Sequence, residues 1–165
     1  MAQITLEGNP INTNGELPDV GSAAPDFKLV AADMSDKSLA DFAGKKKLLN
    51  IVVSLDTGIC IDTSKAFDEK LAGRDDVVVL AISADLPFAQ ARTCEAAQTT
   101  VTTLSMMRSK NFAKDYGILI TDGPIAGLCA RAVVVLDEDN KVTYAQLVPE
   151  IASDPDMDAA IAALG

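Results

Sequence analysis

The chain has 165 residues, 14 basic against 24 acidic for a net charge of −10, three cysteines and no histidine. That length suits one domain spanning 1–165 with a core of its own, and the acidic balance disfavours nucleic acid and anionic membrane as partners. Without histidine, neither a Cys–His hydrolase pair nor a histidine metal site can be built.

Met1 to Glu7 carries neither a basic region nor an apolar run, and no stretch approaches the roughly 20 apolar residues of a membrane span. A soluble, cytoplasmic protein is the expectation.

In chain order, residues near 3–7 and 10–13 read as a small hairpin around Gly8-Asn9, because Gly-Asn is turn chemistry between alternating apolar positions. Residues 21–47 are loop-rich, with a short strand near Phe27 to Val30 and a short helix near Ser38 to Phe42 closed by Gly44. Leu48 to Val53, Val77 to Ile82, Val101 to Leu104, Ala132 to Leu136 and Val142 to Val148 are β-branched or apolar runs. The first, second and fourth are nearly continuous, as strands covered on both faces require.

Helices fill the gaps. One follows Cys60, with Ile61, Ser64, Phe67 and Leu71 as its apolar stripe, Gly73 as its stop, and Lys65, Asp68, Glu69 and Lys70 on its wet face. A second starts with Pro87 at its first position and carries Phe88, Ala89, Ala91 and Cys94. A third runs from about Lys110 to Tyr116 and ends at Gly117. In the last, Asp154 caps, Pro155 sits first, and Met157, Ala160, Ile161 and Leu164 form the stripe. Strand–helix alternation, a strand pair flanking Asp137 to Asn140 and a closing helix give a mixed sheet between helices. A thioredoxin-like α/β fold fits that order.

Cys60 closes the segment Asn50 to Cys60, where an apolar strand passes through a polar turn into a helix. A thiol in a first helical turn faces unpaired N–H groups and the positive end of the helix dipole, a setting that favours thiolate. Cys60 is therefore a candidate nucleophile. Thioredoxin-type dithiol enzymes place a second cysteine three positions on, but Thr63 stands there. Cys94 is the better candidate partner, on a short helix with Arg92. Cys129 precedes the buried-looking strand from Ala132 and reads as an inert core thiol. Three widely spaced cysteines do not form a structural zinc site, and in a reducing compartment any disulfide is transient and catalytic.

Several colinear motifs carry a resemblance. Ser54-Leu55-Asp56-Thr57-Gly58-Ile59-Cys60, then Ile82-Ser83-Ala84-Asp85-Leu86-Pro87-Phe88-Ala89-Gln90 ahead of Arg92 and Cys94, then Asp122-Gly123-Pro124 and Ala130 to Val135, together with Gly8-Asn9-Pro10, resemble the bacterial thiol peroxidases. These are the atypical two-cysteine branch of the peroxiredoxins. The resemblance implies that Cys60 is the peroxidatic cysteine, oxidised by hydrogen peroxide or an organic hydroperoxide to a sulfenic acid. It implies that Cys94 resolves that acid as an intramolecular disulfide, that a thioredoxin-like protein reduces the disulfide, and that the chain is a homodimer needing no cofactor or metal. Thr57 matches the threonine whose hydroxyl lies beside thiolate and peroxide, and Arg131 the arginine that stabilises both.

One position departs from that pattern. The family's motif carries a proline where this chain has Val53, and valine restores an N–H donor and prolongs the strand. Other readings of the same residues stay open: a redox sensor or relay that passes oxidation from Cys60 to a partner, or a homologue of low activity. Thr57 reads equally as a helix cap, and Arg131 as a member of a surface ion pair. Phe88, Tyr116, Ile118, Leu119 and Ile120 read as ordinary core, with a substrate collar or dimer surface as the alternative.

Overall fold

A computed structural model describes residues 1–165. Two strands form the amino-terminal hairpin, β1 (Gln3–Leu6) and β2 (Asn9–Asn12), paired antiparallel with Leu6 opposite Asn9. That register makes Glu7-Gly8 the two-residue turn, one position earlier than Gly8-Asn9. Both turn residues have positive φ, 50° and 81°, the conformation that matches the twist of the flanking strands.

The main sheet has seven strands: β3 (Leu29–Ala31), β4 (Asp36–Lys37), β5 (Lys46–Ile51), β6 (Val77–Ser83), β7 (Thr102–Ser105), β8 (Ala132–Leu136) and β9 (Val142–Leu147), in spatial order β4-β3-β7-β6-β5-β8-β9. β5, β6 and β7 run parallel, while β3, β4, β8 and β9 join antiparallel. The parallel centre follows from its crossovers: α1 (Gly58–Lys70) joins β5 to β6 and α2 (Pro87–Ala97) joins β6 to β7. α3 (Asn111–Asp115) and α4 (Met157–Ala162) complete the helices. The mixed sheet with flanking helices is the thioredoxin-like arrangement read from the alternation.

Leu48, Leu49, Ile51, Leu80, Ile82, Val133, Val134 and Leu136 are fully buried and anchor a core cluster of 38 residues. Burial on both faces explains why these runs are continuous rather than alternating. Tyr116, Ile118 and Ile120 also lie in the core; Phe112 packs edge-to-face on Phe27 and tilted against Tyr116, and the Tyr116 hydroxyl donates to the Pro25 carbonyl at 2.8 Å. Phe88 does not join them. It is 69% exposed, because the face of α2 that meets the sheet carries Pro87, Gln90 and Cys94 instead.

A strand absent from the sequence reading and two shifted element ends stand out. β4 is too short and polar to leave a periodic signal. α4 is capped by Asp156, whose carboxylate accepts from the Ala159 N–H at 3.0 Å, so Pro155 precedes the cap. β5 ends at Ile51 rather than Val53: the Val52 N–H still donates to the Ile82 carbonyl at 2.9 Å, but Val53 lies in a bend and its N–H has no hydrogen-bond partner. Valine therefore does not prolong the strand, since the sheet no longer offers it an acceptor there.

The hairpin is tied to the carboxyl-terminal part of the chain. Thr5 accepts from the Ile151 N–H at 3.0 Å and donates its own N–H to the Pro149 carbonyl at 2.8 Å, and the Glu150 carboxylate accepts from the N–H groups of Gly8 and Ala152.

Candidate active site

The strand β5 delivers the chain to the start of α1, a helix of thirteen residues in which Cys60 holds the third position after the Thr57 cap. Four residues of α1 are buried, Cys60, Thr63, Ser64 and Phe67, so Cys60 itself sits on the inward stripe and Ile61 lies only half inside. Cys60 is fully buried. Its carbonyl accepts from the Ser64 hydroxyl at 2.9 Å, and that hydroxyl in turn accepts from Asn50 Nδ2 of β5 at 2.9 Å. The helix is thus pinned to the central strand one turn beyond the thiol.

Arg131, immediately before β8, reaches the same point. Its guanidinium is 1% exposed, donates from Nη2 to Cys60 Sγ at 3.1 Å and from Nε to the Ile151 carbonyl at 2.7 Å. Nη1 has no partner. A buried cation with an open donor is costly by itself, and both its charge and its free N–H favour an anionic or oxygen-rich species beside the sulfur. This is no surface ion pair.

None of the other sequence candidates hydrogen-bonds the Cys60 sulfur. Thr57 is the N-cap residue of α1, is exposed, and donates its hydroxyl to the Ser54 carbonyl at 2.9 Å rather than to Cys60. Cys94 lies on α2, 8% exposed, and all three cysteines are free thiols. Burial, and after it the charge of Asp68, pushes the Cys94 thiol above its ordinary value. Cys129 is wholly buried with its sulfur 3.5 Å from Met106 Sδ, and burial pushes it up to about 12. Such a thiol stays protonated and inert.

Sequence reasoning missed two supports. The Ile151 carbonyl is a backbone acceptor from a distant segment and leaves no side-chain signature. Asp85, just past the end of β6, accepts from the Ser54 hydroxyl at 2.7 Å and the Leu55 N–H at 2.8 Å. In the sequence it stood within the Ile82-to-Gln90 motif that carries the resemblance, but nothing there tied it to the turn before Cys60.

Residues 19–161 match the family model described as Redoxin. The chain belongs to the redoxin family. Within it the chain stands with the thiol peroxidases: it is 51% identical over 165 residues to the thiol peroxidase of Mycobacterium tuberculosis, with 100% of this chain and 99% of the relative aligned, and equally to that of Mycobacterium bovis. Among solved redoxins, the peroxiredoxin-like protein from Aquifex aeolicus superposes with a TM-score of 0.91 at 37% identity, covering 99% of this chain and 96% of the other. The thiol peroxidase from Chromobacterium violaceum gives 0.88 at 26% identity, covering 98% and 94%. No helix of this redoxin is long and apolar enough to cross a membrane.

Proposed function

We propose that Cys60 is the residue at which this enzyme, a thiol-dependent peroxidase, is oxidised by hydrogen peroxide and organic hydroperoxides. The observation that carries the reading is the 3.1 Å contact from Arg131 Nη2 to Cys60 Sγ between two buried residues, with Nη1 left free. The Cys60 thiolate attacks one oxygen of the O–O bond, forming S–O and breaking O–O; the leaving oxygen takes a proton and departs as water or an alcohol. Arg131 stabilises the charge that moves from sulfur to the leaving oxygen, using the donor it has to spare. Thr57 matches the motif position for a hydroxyl beside the peroxide.

The Cys94 sulfur then displaces hydroxide from the Cys60 sulfenic acid, giving a Cys60–Cys94 disulfide and water. Its buried, protonated state keeps it from competing for peroxide. A thioredoxin-like dithiol reduces that disulfide and is itself oxidised. The same reading includes one domain over 1–165, a homodimer, and a reducing cytoplasm in which the thiols stay free.

Mass spectrometry of the protein after one equivalent of peroxide without reductant tests the scheme. The expected product is a Cys60–Cys94 disulfide with Cys129 free, and Cys60→Ser consumes no peroxide, while Cys94→Ser is oxidised once and stalls. Turnover by Cys60→Ser at the wild-type rate, or a disulfide through Cys129, overturns it.

A further inference from the structure

We propose that Asp85 is a positioning residue for Cys60, the clamp that fixes the turn from which α1 begins; this rests on the reading of Cys60 as the oxidised thiol. The ladder between β5 and β6 ends with the Val52 N–H on the Ile82 carbonyl, and Val53 has no backbone partner for its N–H. The chain crosses from sheet to helix through Ser54 to Thr57, where the sheet no longer holds it. Its first two fixed points past Val53 are both on Asp85: the Ser54 hydroxyl donates to Oδ1 at 2.7 Å and the Leu55 N–H to Oδ2 at 2.8 Å.

Ser54 carries that hold forward. Its oxygen atoms accept from the Asp56 N–H at 3.1 Å, the Thr57 N–H at 3.2 Å and the Thr57 hydroxyl at 2.9 Å. Thr57 is the N-cap of α1, and its carbonyl accepts from the Ile61 N–H at 3.2 Å. An unbroken run of bonds therefore leads from Asp85 to the helical turn that bears Cys60.

Asp85 is itself held in place. The Ser83 hydroxyl donates to Oδ2 at 2.6 Å, and Gln90 Nε2, buried on α2, donates to that hydroxyl and to the Leu104 carbonyl, each at 3.0 Å. Gln90 and Cys94 are both buried residues of α2, so one carboxylate connects the turn leading to Cys60 with the helix carrying Cys94. A carboxylate accepting hydrogen bonds from a backbone N–H and two hydroxyls is a stronger tether than neutral acceptors would be, and sub-ångström placement is what a reacting sulfur beside a fixed guanidinium needs.

The experiment compares wild type, Asp85→Ala, Asp85→Asn and Ser54→Ala in three measurements: hydroperoxide consumption with dithiothreitol, the rate of Cys60 labelling by iodoacetamide at neutral pH, and the melting temperature. Asp85→Ala is expected to slow both Cys60 reactions roughly tenfold or more. Asp85→Asn, whose amide oxygen can take the place of Oδ2 and accept from the Leu55 N–H, is expected to return most of that loss, which a general loss of stability would not do. Ser54→Ala, which keeps the Leu55 bond, is expected to fall between. Rates for Asp85→Ala within about twofold of wild type, or no recovery in Asp85→Asn, overturn the proposal. Should Asp85→Ala not fold, wild-type rates in both other variants overturn it, and a graded loss in Ser54→Ala supports it. Absence of peroxide consumption by the wild type would sink the peroxidase reading instead, and the labelling series would still decide the role of Asp85.

Discussion

Replacing Arg131 with methionine separates what the guanidinium does for chemistry from what it does for folding. The side chain is 1% exposed and makes two hydrogen bonds, to Cys60 Sγ and the Ile151 carbonyl. A hydrogen bond from a charged donor contributes about 1.5–3 kcal/mol, and about 1.4 kcal/mol is tenfold in rate. Loss of the Nη2 contact in the transition state therefore predicts a fall in kcat/KM of roughly 10- to 150-fold. Stability responds differently. Removing a buried cation whose Nη1 has no partner recovers several kcal/mol of desolvation, which offsets about 1–3 kcal/mol for leaving the Ile151 carbonyl without its donor. The net change is expected within about 2 kcal/mol of zero, read by urea unfolding beside peroxide consumption. Arg131→Lys, which restores charge as a point without the planar fork, should regain only part of the rate. A methionine variant that keeps peroxide turnover within about twofold would refute the assignment of the guanidinium to the chemistry.

Val53→Pro removes an N–H that bonds nothing; the fold should persist, with unfolding free energy unchanged or raised by about 0.4–1 kcal/mol, and peroxide turnover should rise as the bend stiffens. A loss of stability in urea would contradict the bend geometry. Cys129, pushed up to about 12 by burial, should resist iodoacetamide in the native protein and become reactive in urea; labelling of the folded form at neutral pH would refute its inertness. Glu150 is held below its ordinary carboxyl value by the N–H groups of Ala152 and Gly8, and then by the Thr5 hydroxyl. A depressed folded value contributes stability above the unfolded value of about 4.3 and loses it as pH falls through the folded one. Protection factors of the hairpin amides, which correct for the intrinsic pH dependence of exchange, should therefore fall on acidification in wild type, and Glu150→Gln should flatten that dependence.

The central strands were legible because double-sided burial demands uninterrupted apolar runs, and β5, β6 and β8 are such runs. Cys60 was legible from its place after one of them. The pairing of Cys60 with Arg131 came from motif resemblance alone, since no local pattern states which strand end will face which helix. The ends of elements were least legible. Nothing in Val52-Val53 says that the acceptor row runs out between them: the Val52 N–H faces β6, where the Ile82 carbonyl accepts it, whereas the next N–H faces the side of β8, which begins only at Ala132, the partner of Ile51. Asp154 and Asp156 are equally good caps by residue type, and the choice rests on where the helix axis must lie to bury Ala160 and Leu164. Phe88 was read as core because aromatic residues usually are, whereas α2 turns Gln90 inward to bond Ser83 and the Leu104 carbonyl, leaving Phe88 outside.

The amino-terminal hairpin lies before the stretch matched by the redoxin family, which begins at residue 19, yet a run of hydrogen bonds through Ile151 and Arg131 connects it to the Cys60 sulfur. Thr5 and Gly8 grip residues 149–151, and Ile151 supplies the carbonyl on which the Arg131 guanidinium rests. Trimming the first dozen residues, or crowding them with an appended tag, would therefore loosen the contact between Arg131 and Cys60 from outside the part of the chain that defines the family. It would first show as weaker Arg131 anchorage and slower peroxide chemistry, while the sheet, whose strands all begin later, keeps its pairing.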